Sequence, residues 1–433
     1  MMTRIIGRRP AVVAVLGIVG MVAVGCSPSQ VPGGGTGPTA VITLRLAIEA
    51  SPPTGALAVL AEQYSSENPL VVIELERVPN EQFSDVLRTQ LQGGNGPDLF
   101  HVIGGKGTPT SVLPLAEAGY LEPLTGTIAA DLFTDDNRAL AELDAQIWAQ
   151  PVENVPIITN YNATVAEELG IDLDFTSIDD VLAACATARA TDRSLLRLAG
   201  ATGLNNSVTA LQFAATRVYG QNPDWNEQRA AGEVTFAGTE GWHDTLQTFL
   251  TLRDAGCFQD GVEAGVIEDN FPAIAAGTAL GAFGPGGAVP SLRQVQPDAT
   301  FLSVAFPGDS PADRGIFATM NMLAVSEASS PDAKVAAKEF LAWLAEPAQA
   351  SALVAISGNL PVLVSPTSEI PEQYALLASH FEADAIRPTP GLSWPGPQVT
   401  IVLGTGIQGL FTGQTTIDDV LAAMDSAWDE AQE

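Results

Sequence analysis

The chain has 433 residues, 46% of them apolar, so it is long for one domain, suits two, and can fill large cores. Fifty acidic residues outweigh 19 basic ones, for a net charge of −31, and the only lysines are Lys106, Lys334 and Lys338. A surface this acidic repels phosphate backbones, which argues against nucleic acid as a partner and disfavours a site built for large anions.

The first 25 residues carry Arg4, Arg8 and Arg9 without an acid, then a short apolar run of small residues. That pattern is an export signal, and the run is too short to span a bilayer, which takes about 20 apolar residues. It ends in Ala23-Val24-Gly25-Cys26, which resembles the lipobox of bacterial lipoproteins, where the cysteine takes the lipid and becomes the new N-terminus. Residues 1–25 are therefore expected to be removed, leaving a net charge of −34. Residues 26–40 are expected to form a flexible tether spanning about 20 Å, since Pro, Gly, Ser and Thr leave almost nothing to bury. An exported chain favours oxidised cysteines, so a Cys185–Cys257 disulfide is expected, with two separately buried thiols as the alternative. Neither cysteine has a second ligand at metal-binding spacing, and no metal is expected.

From residue 41 the chain reads strand (VITLRLAI, 41–48), helix (with Leu57, Leu60, Ala61 and Tyr64 in register), strand (LVVIELERV), helix (from an Asn80 cap to a Gly93-Gly94 stop), strand (PDLFHVIGG). This β-α-β-α-β order predicts an α/β fold with parallel strands and helices on their faces. IWAQPVENVPIITNYNATVAEELGI reads as strand, turn, strand, helix. AGTALGAFGPGG reads as a strand entering a glycine loop, and GIFATMNMLAVS as a returning strand. The last helix is expected to start near Asp418 with Thr416 as its cap, and Trp242 and Trp343 are expected in cores.

Few segments carry chemistry. GTGIQG at 404–409 matches a dinucleotide fingerprint, but Gly413 interrupts the helix that motif needs and no second strand with an acid comes after, so the segment is read as a helix face. The paired acids Asp135-Asp136 and Asp179-Asp180 are read as helix starts, where negative charge complements the dipole. No nucleophile, zinc or phosphate-loop motif occurs, and no catalytic residue or cofactor is expected.

Several segments, in order, resemble the extracellular solute-binding proteins of ATP-binding-cassette importers, in the sugar and oligosaccharide group of the maltose-binding type. They are GPDLF with LPLAEAGYLEPLTG after it, QPVENVPIITNYNATVAEELGI with its Tyr161-Asn162 element, GTALGAFGPGG, the long run from DRGIFATMNMLAVS into the helix beyond it, and SGNLPVLVS. After Tyr161-Asn162 the family usually has a lysine and an acid, whereas Ala163-Thr164 stand here.

The resemblance implies two α/β lobes, each a mainly parallel sheet flanked by helices, joined by hinge crossovers. Residues 41–151 with 316–360 would form lobe 1, and 152–315 with 361–433 lobe 2. It implies a monomer, lipid-anchored outside the membrane, that closes on a small carbohydrate and passes it to the permease subunits. Ligands of open α/β sheets lie beyond strand C-termini, which gives Glu49, Ser51, His101, Gly104, Glu153, Asn154, Asn206, Phe283, Gly286, Asn321 and Trp394 as candidate contacts. Carboxylates, amides and an aromatic ring suit sugar hydroxyls and apolar sugar faces. Trp394, in the stiff stretch TPGLSWPGPQ, is expected as the stacking platform, with Trp225 next in line. A polyamine-binding protein of the same fold and a surface-anchored glycoside hydrolase remain the alternatives, the second because two placed carboxylates suffice for it.

Overall fold

The computed structural model describes residues 41–50, 55–108, 110–308, 315–363, 369–382 and 385–432. The expected signal peptide, Cys26, the tether and Ser51 lie outside them. Strands β1 (Ile42–Glu49), β2 (Val71–Val78) and β3 (Leu99–Ile103) are parallel, with β1 between the other two. Leu44, Leu46 and Ile48 pack on one side with Leu57, Leu60 and Tyr64 of the helix Gly55–Glu67. Ala47 packs on the other with Phe83 and Leu87 of the helix Asn80–Gln92. Burial on both faces keeps β1 and β3 largely apolar, whereas β2, at the edge of the sheet, alternates apolar and polar residues.

After a small hairpin of β4 (Glu142–Leu143) and β5 (Gln146–Ile147) comes β6 (Gln150–Asn162), a single 13-residue strand. The sequence pattern predicts a turn inside it, and the structure has none. Pro151 and Pro156, which suggest that turn, are both accommodated in extended backbone, opposite Met322 and Ala318 of the neighbouring strand. Each lacks an N–H, so the ladder loses a donor there without leaving the strand conformation.

The remaining strands are β7 (Ser194–Arg197), β8 (Ala279–Pro285), β9 (Phe301–Val304), β10 (Ile316–Val325) and β11 (Ile386–Pro388). The sheet order is β2-β1-β3-β10-β6-β8-β7, with β9 also on β6 and β11 on β10. β7 and β8 are parallel, while β6 runs antiparallel to β8, β9 and β10.

Two lobes share this sheet. Val152 of β6 and Leu323 and Val325 of β10 belong to the core around β1–β3. Ile157 and Tyr161 of β6 and Phe317 of β10 belong to a second core that holds Trp225, Trp242, Trp394 and Trp428. Between the two, the β6–β10 pairing shifts register at Asn321/Met322. Cys185 and Cys257 form a disulfide in the second core, with Cα atoms 4.9 Å apart. The segment GTGIQG lies inside the helix Gln398–Thr412, where Gly404 lets that helix approach the backbone of Gly203. All described residues belong to one compact unit, Ala40–Glu433.

Candidate functional site

Four of the candidate residues meet where the lobes join. Glu49 closes β1, His101 lies on β3, Glu153 on β6 and Asn321 on β10, opposite Glu153. His101 Nδ1 is 3.6 Å from Glu49 Oε2, and the Asn321 amide donates to Glu153 Oε1 at 3.1 Å. His101 and Glu153 are buried, while the Glu49 side chain keeps 27% of its surface exposed.

Burial works against a charged His101, but Glu49, Asn321 and Glu153 outweigh it and hold its pKa above the ordinary imidazole value. For Glu49 burial pushes upward, and the imidazole outweighs it, leaving the carboxyl below its usual range. Glu153 goes the other way. Burial raises it more than Ser357, Asn359, Asn321 and His101 lower it. Its Oε2 has no hydrogen-bond partner at normal distance, which fits a carboxylate short of compensation. Sequence reasoning misses Ser357 and Asn359. They belong to SGNLPVLVS, which reads only as a connection, and this polar pair enters the site as the chain leaves the helix Pro347–Ser357.

Asn154 does not join this cluster. Its amide donates to the carbonyls of Pro361 and Val362. It also lines a cavity of about 240 Å³ with Asn137, Ala318, Met320, Phe381 and Pro388. Gly104 opens the loop after β3, where a side chain would meet Met322 and Leu140. In that loop Lys106 N and Gly107 N donate to Leu392 O at 2.9 and 3.2 Å. Gly105 adopts φ +79°, with the Leu392 carbonyl where its Cβ would stand.

Four expectations are corrected. Asn206 is fully buried and ties two helices together by donating to Gly200 O and Gly404 O. Phe283 points into the second core against Phe213 and Phe306. Gly286 is a packing glycine, with the Tyr374 hydroxyl and the Pro156 ring against its Cα. Trp394 is fully buried rather than displayed. Its ring packs on Phe236 and Trp242, and its Nε1 donates to Asn226 Oδ1 at 3.3 Å. The proline-rich stretch fixes the indole as expected, but inward, because a ring cluster offers it more apolar area than a cleft wall does. Trp225 sits in the same cluster and is no substitute platform.

The family model for bacterial extracellular solute-binding proteins matches residues 50–351. No curated protein matches the chain. Among solved structures, the solute-binding protein RafE in complex with raffinose is similar at TM-score 0.74 and 17% identity, over 91% of this chain and 100% of that one. A sugar transporter protein, BL01359 from Bacillus licheniformis, in complex with stachyose, is similar at TM-score 0.71 and 16% identity, over 90% and 100%. The GacH receptor of Streptomyces glaucescens, solved unliganded and with acarbose, is similar at TM-score 0.70 and 17% identity, over 90% and 98%. With the matched family model covering most of the chain and the two-lobed fold in place, the chain belongs to the bacterial extracellular solute-binding proteins.

Proposed function

We propose that this protein captures a sugar or oligosaccharide between two hinged lobes outside the cell membrane and delivers it to the permease of an ABC importer. The observation that carries the reading is the pair of strands β6 and β10, which run unbroken from one core into the other with Glu153 and Asn321 at the passage. Two prolines and a register shift thin the ladder there, and a hinge needs only a few such residues to absorb its motion. The expected lobe bounds shift by a few residues, since Val152 packs in the first core and Phe317 in the second: lobe 1 is then 41–152 with 320–360, and lobe 2 is 153–319 with 361–433.

Neutral polyols fit the chemistry. Acceptors and amides cluster at the passage, and three proteins of similar fold are solved with raffinose, stachyose and acarbose. Solute bridging the lobes favours the closed state, which is the state a permease can read. No bond is broken, so the protein acts without catalysis, as a monomer. Cys26 carries the lipid, and residues 26–40 act as the leash.

The test is a thermal-shift screen of the soluble domain against raffinose, stachyose, chitooligosaccharides and acarbose, with spermidine and putrescine as controls. A solute at 100 times its Kd adds about 2.7 kcal/mol of stability. Stabilisation by a neutral oligosaccharide, then 1:1 calorimetric binding and unchanged sugar after overnight incubation, is the expected result. Stabilisation by polyamines alone overturns the sugar assignment. Released monosaccharide overturns the non-catalytic one.

A further inference from the structure

His101 is a buried basic group placed between two carboxylates from different strands. Among the described residues, it faces Glu49 from β1, Glu153 from β6 and Asn321 from β10, with the Phe83 ring 6.2 Å away on the helix Asn80–Gln92. Behind Glu153 stand Ser357 and Asn359, and the Tyr374 phenol, which burial keeps neutral. At 3.6 Å the His101–Glu49 contact is too long for a strong hydrogen bond and suits a charge pair. A neutral imidazole there would put an uncharged ring beside the buried Glu153 and the partly exposed Glu49, and a buried carboxylate facing no charge of opposite sign is costly.

We propose that His101 is a positioning residue for solute binding: as a buried imidazolium it holds the Glu49 carboxylate ionised at the end of β1, and Glu153 balances it from the hinge strand. The partly exposed Glu49 is then the end of the chain that meets solute, as an acceptor for hydroxyl hydrogens. A solute lying on Glu49 displaces water from it, which strengthens its pairing with His101 and makes the proton harder to remove. Solute binding therefore takes up protons. By reciprocity, affinity is high while His101 is protonated and falls as pH rises through its transition. Glu153 and Asn321 lie on the strands that bend, so the same charge is linked to lobe closure.

The solute half of this inference rests on the sugar-binding reading, and the test separates the two. The imidazole resonances of the unliganded protein are titrated by NMR, with His101 assigned from the spectrum of His101→Gln against His243 and His380. In the wild type His101 is expected to titrate above the ordinary value of about 6.5, and Glu49→Gln is expected to move it down. A transition at or below the ordinary value, or one that Glu49→Gln leaves in place, overturns the clamp without reference to any solute. Calorimetry with raffinose as the probe is then run on either side of the wild-type transition. Binding at least tenfold weaker on the alkaline side, and flat with pH in His101→Gln, is expected. Equal affinity on both sides overturns the positioning role even if the imidazole titrates as expected. If raffinose fails to bind at either pH, the sugar assignment is weakened, and the imidazole titration still decides the clamp.

Discussion

Asn154 and Leu360 are joined by a pair of reciprocal backbone hydrogen bonds, Asn154 N to Leu360 O and Leu360 N to Asn154 O, each 2.9 Å. The Asn154 side chain extends the seam by donating to Pro361 O and Val362 O at 3.1 and 2.8 Å. One residue of β6 therefore stitches the middle of that strand to the segment leaving the helix Pro347–Ser357. Asn154→Ala removes both side-chain donors and is expected to cost about 1–3 kcal/mol, since two partly buried carbonyls lose their partner. Denaturant unfolding measures this. A loss below a few tenths of a kcal/mol would show that the backbone pair alone holds the seam.

Trp394→Ala is expected to lower the stability of the unliganded protein by about 3–5 kcal/mol, because it empties a fully buried site in a ring cluster. Trp394→Phe should cost less, mostly through the lost bond to Asn226. Chemical denaturation of both variants checks the order. A Trp394→Ala protein as stable as the wild type, with weakened sugar binding, would return the indole to the cleft.

The disulfide closes a loop with a sequence separation of 72. Reduction, or Cys185→Ala with Cys257→Ala, is expected to cost about 2–4 kcal/mol, chiefly by releasing the unfolded chain. Thiol counting on denatured, unreduced protein should find neither cysteine. Two reactive thiols in oxidised material would contradict the bridge.

Glu122 accepts from Lys338 at 2.6 Å and pairs with Lys334 at 2.8 Å. Burial raises its pKa, but the lysines outweigh it and bring it down to about 2. Because the folded value lies below the unfolded one, the contribution is full above the ordinary carboxyl range and lost as pH falls toward 2. Solvent screening keeps the contribution of this partly exposed pair small, so Glu122→Gln is expected to cost about 1 kcal/mol at neutral pH and almost nothing near pH 2. Paired melts across that range test it. A constant difference would mean that the charge contributes nothing.

Local signals carry most of the fold. The alternation in 41–103, the Gly93 stop and the Thr416 cap, with Asp419 returning a bond to Thr416 N, all act within a few residues and can be read directly. Helix starts are less exact. The helix Asn80–Gln92 is entered from Pro79, so Asn80 is its first residue and not its cap. The site is legible by half. Glu49, His101, Glu153 and Asn321 lie at strand ends or at the passage, where a general rule points. Trp394, Phe283 and Asn206 escape that rule because a residue's direction depends on partners far along the chain, such as Asn226, Phe306 and Gly404. Ser357 and Asn359 come close enough to Glu153 to act on its charge from about 200 residues away, a proximity that no local pattern encodes.

Sharing β6 and β10 between two cores also governs how the protein comes apart. Melting the second core would strip Ile157, Tyr161 and Phe317 of their packing and leave the same two strands unsupported inside the first. Neither core can be lost while the other keeps its central ladder, so heating should give a single calorimetric transition with matching van't Hoff and calorimetric enthalpies. The most protected amides should then lie on Gln150–Asn162 and Ile316–Val325, the strands that both halves need, and exchange there should require global unfolding. The element that must flex for solute entry is thus also the last to open to solvent.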